Sequence, residues 1–161
     1  LVQNIEIFIG IAHIAGIFVG FEALISATHQ KEVERIRGLV TVGLTTIIAS
    51  LLPIGLSSYG FSGHSLWFFS SLIYFCLDWM VIILSLRKSE TRELLRNERK
   101  THPVMAILFW LIFEVPLQVP LILAIIGLFP DLEQAFYTTA LLFNLFSAAY
   151  VLSQIVYTKA N

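Results

Sequence analysis

Five long apolar runs, separated by short polar or turn-forming segments, organise the chain: residues 4–28, 37–58, 65–87, 103–129 and 133–158. Within each run the apolar residues follow one another without the strict alternation of a half-buried strand, and each run is far longer than the roughly 9–11 residues of a membrane β-strand. About 20 helical residues cross a hydrocarbon core of roughly 30 Å, so each run is long enough to span a bilayer as a helix. The fold class that follows is all-α, an integral membrane bundle of five transmembrane helices forming a single transmembrane domain over residues 1–161. The first run reads as a span and not as a signal peptide, because it carries Glu6 and Glu22 and lacks a basic start.

Charge gives these runs a direction. Lys31, Arg35 and Arg37 lie between the first and second runs, Arg87, Lys88, Arg92, Arg96, Arg99 and Lys100 between the third and fourth, and Lys159 after the fifth, which accounts for all 10 Lys and Arg residues. The Ser57–Ser65 and Pro130–Asp131 connections have none. Basic residues gather on the cytoplasmic side, so the N-terminus is expected outside and the C-terminus in the cytoplasm. The sequence Pro130-Asp131-Leu132-Glu133 argues for a true break between the last two runs, since a proline followed closely by two acids fits a helix interior poorly.

Composition agrees with burial in lipid: 57% hydrophobic residues, 13% charged residues and a mean hydropathy of +0.83 are far from the roughly 25% charged of a soluble domain. The location expected is a prokaryotic plasma (inner) membrane. The basic loop 88–102 is expected to lie against anionic headgroups. Its basic residues alternate with acids and no aromatic residue is interleaved, which argues against nucleic acid as a partner. Lone Cys76 has no second thiol to pair with and reads as a small buried hydrophobe.

The informative positions are polar groups inside the runs, because an ionisable side chain at mid-membrane costs about 2.5–3.5 kcal/mol on insertion scales. In the third run His64, Ser71, Tyr74, Asp78 and Ser85 fall on one helical face, opposite Phe69, Ile73, Met80 and Leu84. The second run places Gly43, Thr46, Ser50, Pro53 and Ser57 three or four apart, a small-residue seam able to lend hydroxyls to neighbouring helices. In the fourth run Glu114 and Gln118 stand one turn apart, and Pro116 and Pro120 act as a hinge that deprives the carbonyls of Ile112 and Pro116 of their helical donors. Counting the helical rise puts Asp78, Glu114 and Asn144 in one midplane layer. From that layer Ser147, Tyr150, Gln154 and Tyr157 of the fifth run, and Glu22 of the first, could lead toward the cytoplasm.

No Lys or Arg lies at that depth to neutralise Asp78, Glu114 or Glu22, so either the carboxyls stay protonated or a proton, cation or water compensates them. The function expected is therefore a channel or transporter for protons or small cations, with Asp78, Glu114, Gln118, Asn144 and Glu22 as the handling residues. An anion pore would need basic rings. The competing reading is a non-catalytic interaction subunit, assembly factor or scaffold whose buried acids and amides hold helices together. Gly16 and Gly20 form a GxxxG step suited to close helix packing, within one bundle or between subunits, and a homo-oligomer or a larger membrane complex is expected. An enzyme reading rests only on Glu6, His13 and His64 near the outer surface, weak candidates for a metal site together with Asp131 and Glu133. No cofactor is expected, since no haem, phosphate-loop or nucleophile motif is present.

Overall fold

The computed structural model describes residues 5–28, 33–87 and 110–158. Its long helices are α1 (Ile5–Thr28), α2 (Val33–Ser58), α3 (Gly63–Arg87), α4 (Val115–Ile126) and α5 (Glu133–Thr158). A π-helical turn, Trp110–Glu114, leads into α4, and a 3-10 turn, Pro130–Leu132, leads into α5. No strand occurs among the described residues. Many of these helices are rich in Ile, Val and Phe, which are mediocre helix formers in water. Lipid removes the alternative, because a backbone without water must satisfy its own polar groups, and a helix does so within one segment.

Four helices among the described residues are long and apolar enough to cross a membrane: Ile5–Ile25, Val40–Ser58, Gly63–Leu84 and Pro130–Ser153. The fourth run is the exception. Its described apolar part is Leu111–Ile126, about 24 Å of helical rise and less than a full hydrocarbon core. Residues 103–109, which would complete that span, and the basic run 88–102 lie outside the described residues.

Helix α5 is central. It packs against α1, α2, α3 and α4, while α1 pairs with α2, α2 with α3, and α3 with α4. Small side chains explain how one helix meets so many neighbours: Ala140 and Ala148 are buried along α5 beside Tyr137, Leu141 and Asn144. Toward the end of the bundle where α1 begins, Phe8, Trp67, Tyr74 and Tyr137 join their rings into one aromatic core, with centroids 5.7–6.2 Å apart. Outside this core the surface is apolar, with Ile17, Phe21, Leu24, Met80, Leu84 and Phe146 among its exposed side chains. Such a continuous apolar exterior suits lipid and not water. Cys76 belongs to this exterior, contrary to the buried position expected for it. Alternation of one helical face in and one face out puts it there, since Tyr74 and Asp78 on either side of it turn inward.

Close approach of α1 and α2 depends on Gly43. A Cβ at this position would lie 2.5 Å from Val19 Cγ2, so only glycine lets the helices meet without displacing Val19. Gly16 and Gly20 behave differently. A Cβ on either would meet nothing within 4 Å, so the GxxxG step of α1 faces away from its own bundle.

Candidate functional site

Proline begins the construction of the site. Pro116 occupies the first turn of α4, where a missing N–H costs least, and the wider π-helical turn precedes it. That turn ends on Glu114, whose side chain is half-buried. π-Helical turns are costly and recur at functional positions. Pro120 lies inside α4, so the Pro116 carbonyl lacks the N–H donor four residues ahead.

One turn beyond Glu114, Gln118 reaches across to α3, where its Nε2 donates to Asp78 Oδ2 at 2.5 Å. Glu114 stands one turn before Gln118, at the end of the π-helical turn that leads into α4. The carboxamide is thus bonded to one carboxyl and lies one helical turn from another. Glu114 Oε2 and Gln118 Oε1 are buried and have no hydrogen-bond partner among the described residues. Tyr74, one turn from Asp78, is fully buried, and its hydroxyl has no hydrogen-bond partner among the described residues.

Asn144 sits in the same layer but serves α2. Its Nδ2 donates to Thr46 Oγ1 at 3.1 Å, and that hydroxyl donates to its own helix at Val42 O, 2.9 Å away. The seam of α2 differs here from its sequence reading. Thr45, Thr46, Ser50, Ser57 and Ser58 all turn their hydroxyl protons back onto carbonyls three or four residues earlier, a bond always within reach in a helix. Among the described residues, Thr46 also receives a hydrogen bond from a neighbouring helix, that of Asn144. Of the polar stripe expected on the last run, Tyr150 is exposed, with its ring 5.5 Å from that of Phe113. The side chains of Gln154 and Tyr157 lie outside the described residues.

Glu22 is separate from this group. It is buried on α1, which packs on α2 and α5, and neither carboxyl oxygen has a hydrogen-bond partner among the described residues. At the other end of the bundle, His64 Nδ1 contacts Glu133 Oε1 at 2.5 Å, joining the start of α3 to the start of α5. The His64 ring also abuts Gly127, where a Cβ would fall 2.5 Å from Cε1 and where φ is +70°. Glu6 and His13 are exposed on α1. No three His, Cys, Asp or Glu side chains among the described residues gather as metal ligands, so of the outer residues only His64 and Glu133 are brought together.

Two contacts had partial signals in the sequence. Pro53 has no N–H for the Ala49 carbonyl, and Tyr137 of α5 supplies the missing donor at 2.6 Å. Gly43 was visible as part of a seam, but its partner Val19 was not. Set beside models of known protein families, curated proteins and solved structures, the chain matches none.

Proposed function

We propose that this protein handles protons or small cations across a membrane through the acidic site shared by α3 and α4. The observation that carries this reading is the hydrogen bond from Gln118 of α4 to the buried Asp78 carboxyl of α3, with the half-buried Glu114 one turn from Gln118. No Lys or Arg occurs between residues 38 and 86 or between 101 and 158, which leaves compensation to a proton, another cation or water and favours proton or cation chemistry over anion transport. The π-helical turn and Pro116 add a place where the helix carrying Glu114 can bend. In this reading residues 103–109 complete a fifth span, the N-terminus is outside, the C-terminus is in the cytoplasm of a prokaryotic inner membrane, and two or more copies assemble to enclose the path.

Proteoliposomes containing the full chain and a pH-sensitive or cation-sensitive dye test the reading. Asp78→Asn and Glu114→Gln should each abolish dye-reported flux. Flux unchanged in both variants removes the assignment.

A second reading, a non-catalytic interaction subunit or scaffold, draws on α1. Gly16 and Gly20 leave an open face there, the arrangement a helix of another subunit would use for close packing. Bulky replacements at both glycines should then break co-purification of a partner without unfolding the bundle.

A further inference from the structure

We propose that the outward face of α3 binds one anionic phospholipid, with an acyl chain laid along a groove that ends at Arg87 and the lipid phosphate held by the Arg87 guanidinium. The groove has a volume of about 380 Å³, within the roughly 300–1,000 Å³ of ligand-binding clefts. Two rows of side chains, each spaced by four residues, build it. Phe75, Trp79 and Ile83 form one row, which runs on to Arg87, and Cys76, Met80 and Leu84 form the other. Phe75 and Trp79 set their rings 6.2 Å apart along the first row, while the small thiol of Cys76 beside them leaves space open. Trp79, Met80, Ile83 and Leu84 are exposed, so the groove faces the bilayer and not the helices of the bundle.

Length, charge and depth select the occupant. From Phe75 to Arg87 the groove follows about 18 Å of helical rise, close to the roughly 15 Å that one leaflet contributes to a hydrocarbon core of about 30 Å. One acyl chain fits it end to end. The walls are apolar along that length, and the charge stands at one end: Arg87 is exposed just beyond Leu84, where the apolar span of α3 stops. That is headgroup depth. No carboxylate among the described residues pairs with Arg87, and a guanidinium matches the oxygens of a phosphate with two parallel hydrogen bonds. Lys88 and the basic residues that follow it in the sequence add attraction for a negative surface. An anionic lipid gains all of this, whereas a zwitterionic one carries its own cation beside the phosphate. A second copy is the poorer occupant, because a two-fold contact along this groove would set Arg87 against Arg87 of the second chain. The inference needs only that α3 cross the membrane and does not rest on the acidic site.

The test is titration of the delipidated full chain in detergent with phosphatidylglycerol or phosphatidylcholine of identical acyl chains, read by native mass spectrometry. One phosphatidylglycerol should bind per chain, at lower concentration than phosphatidylcholine. Arg87→Gln should weaken phosphatidylglycerol binding by about tenfold, the effect of losing one charge-assisted contact. Cys76→Trp fills the groove without altering charge and should weaken it as well. Ile17→Trp, on the lipid-facing side of α1, should leave binding unchanged. Arg87 and Cys76 are both exposed, and whichever variant folds carries the decision. Equal binding of the two lipids overturns the headgroup site. Unaltered binding in Arg87→Gln gives the charge recognition to the loop beyond it, and unaltered binding in Cys76→Trp removes the groove; either result overturns the proposal. Oxidative cross-linking of most of the protein in intact membranes through Cys76 to Cys76 of a second chain would assign the groove to another copy and overturn it too.

Discussion

The Tyr137 hydroxyl donates at 2.6 Å to the carbonyl of Ala49, the one carbonyl of α2 that Pro53 deprives of its donor. A proline in a helix interior costs a hydrogen bond and a clash with the carbonyl four residues back. Here a neighbouring helix repairs the first loss, in a medium where no water can. The contact also fixes how α5 sits against α2, because Tyr137 is held in the aromatic core with Phe8, Trp67 and Tyr74.

Removing that hydroxyl tests the repair. Tyr137→Phe should destabilise the bundle by about 0.6–1.7 kcal/mol, the range seen for interhelical hydrogen bonds in membranes. Pro53→Ala restores an N–H for Ala49, so Tyr137→Phe should cost less in that background. Unfolding free energies of the two single variants and the double variant in mixed micelles give the coupling. Additive effects would show that Tyr137 acts through packing alone.

Gly43 and the pair Gly16 and Gly20 should respond in opposite ways. Gly43→Ala places a methyl 2.5 Å from Val19 Cγ2 and should cost about 1–3 kcal/mol as an overpacking change. Val19→Ala should recover much of it. Gly16→Ala and Gly20→Ala meet open space and should leave monomer stability unchanged or slightly raised, since alanine is the better helix former. Thermal unfolding at equal detergent concentration compares all four.

The contact between His64 and Glu133 ties two helix starts, and its carboxyl partner is almost wholly buried while the imidazole is half exposed. His64→Ala should therefore expose Glu133 to an unpaired state and lower stability by about 1–3 kcal/mol. His64→Ala combined with Glu133→Gln should be milder than His64→Ala alone. Gly127→Ala should disturb the same corner from a third side, because its φ of +70° disfavours any side chain and its Cβ would strike the imidazole. Circular dichroism melts of these variants check the order.

Sidedness can be read directly by cysteine labelling. In a Cys76→Ser background, Tyr59→Cys should react with a membrane-impermeant maleimide on intact cells, and Ser89→Cys only after the membrane is opened. The assignment follows from the concentration of basic residues around position 89 and their absence around position 59. The reverse labelling pattern would invert the topology.

Much of this architecture is determined by the sequence alone. Long apolar runs without alternation call for helices, since a backbone in lipid must satisfy its own polar groups and these runs do not suit barrel strands, and α1, α2, α3 and α5 lie close to where hydropathy and turn residues put them. Helical periodicity likewise separates the buried face of α3, with Ser71, Tyr74 and Asp78, from exposed Phe69, Met80 and Leu84. A proline announces an orphaned carbonyl at Ala49, and the missing bases announce uncompensated acids. Tertiary structure alone decided which faces meet. It joined Asp78 to Gln118, sent Asn144 to Thr46, isolated Glu22 on α1, turned Gly16 and Gly20 outward and closed α2 onto α1 at Gly43. Periodicity states which residues share a side of one helix and is silent on the neighbour that side will face. That choice belongs to the rotation and register of whole helices, set by how their side chains interlock across the bundle.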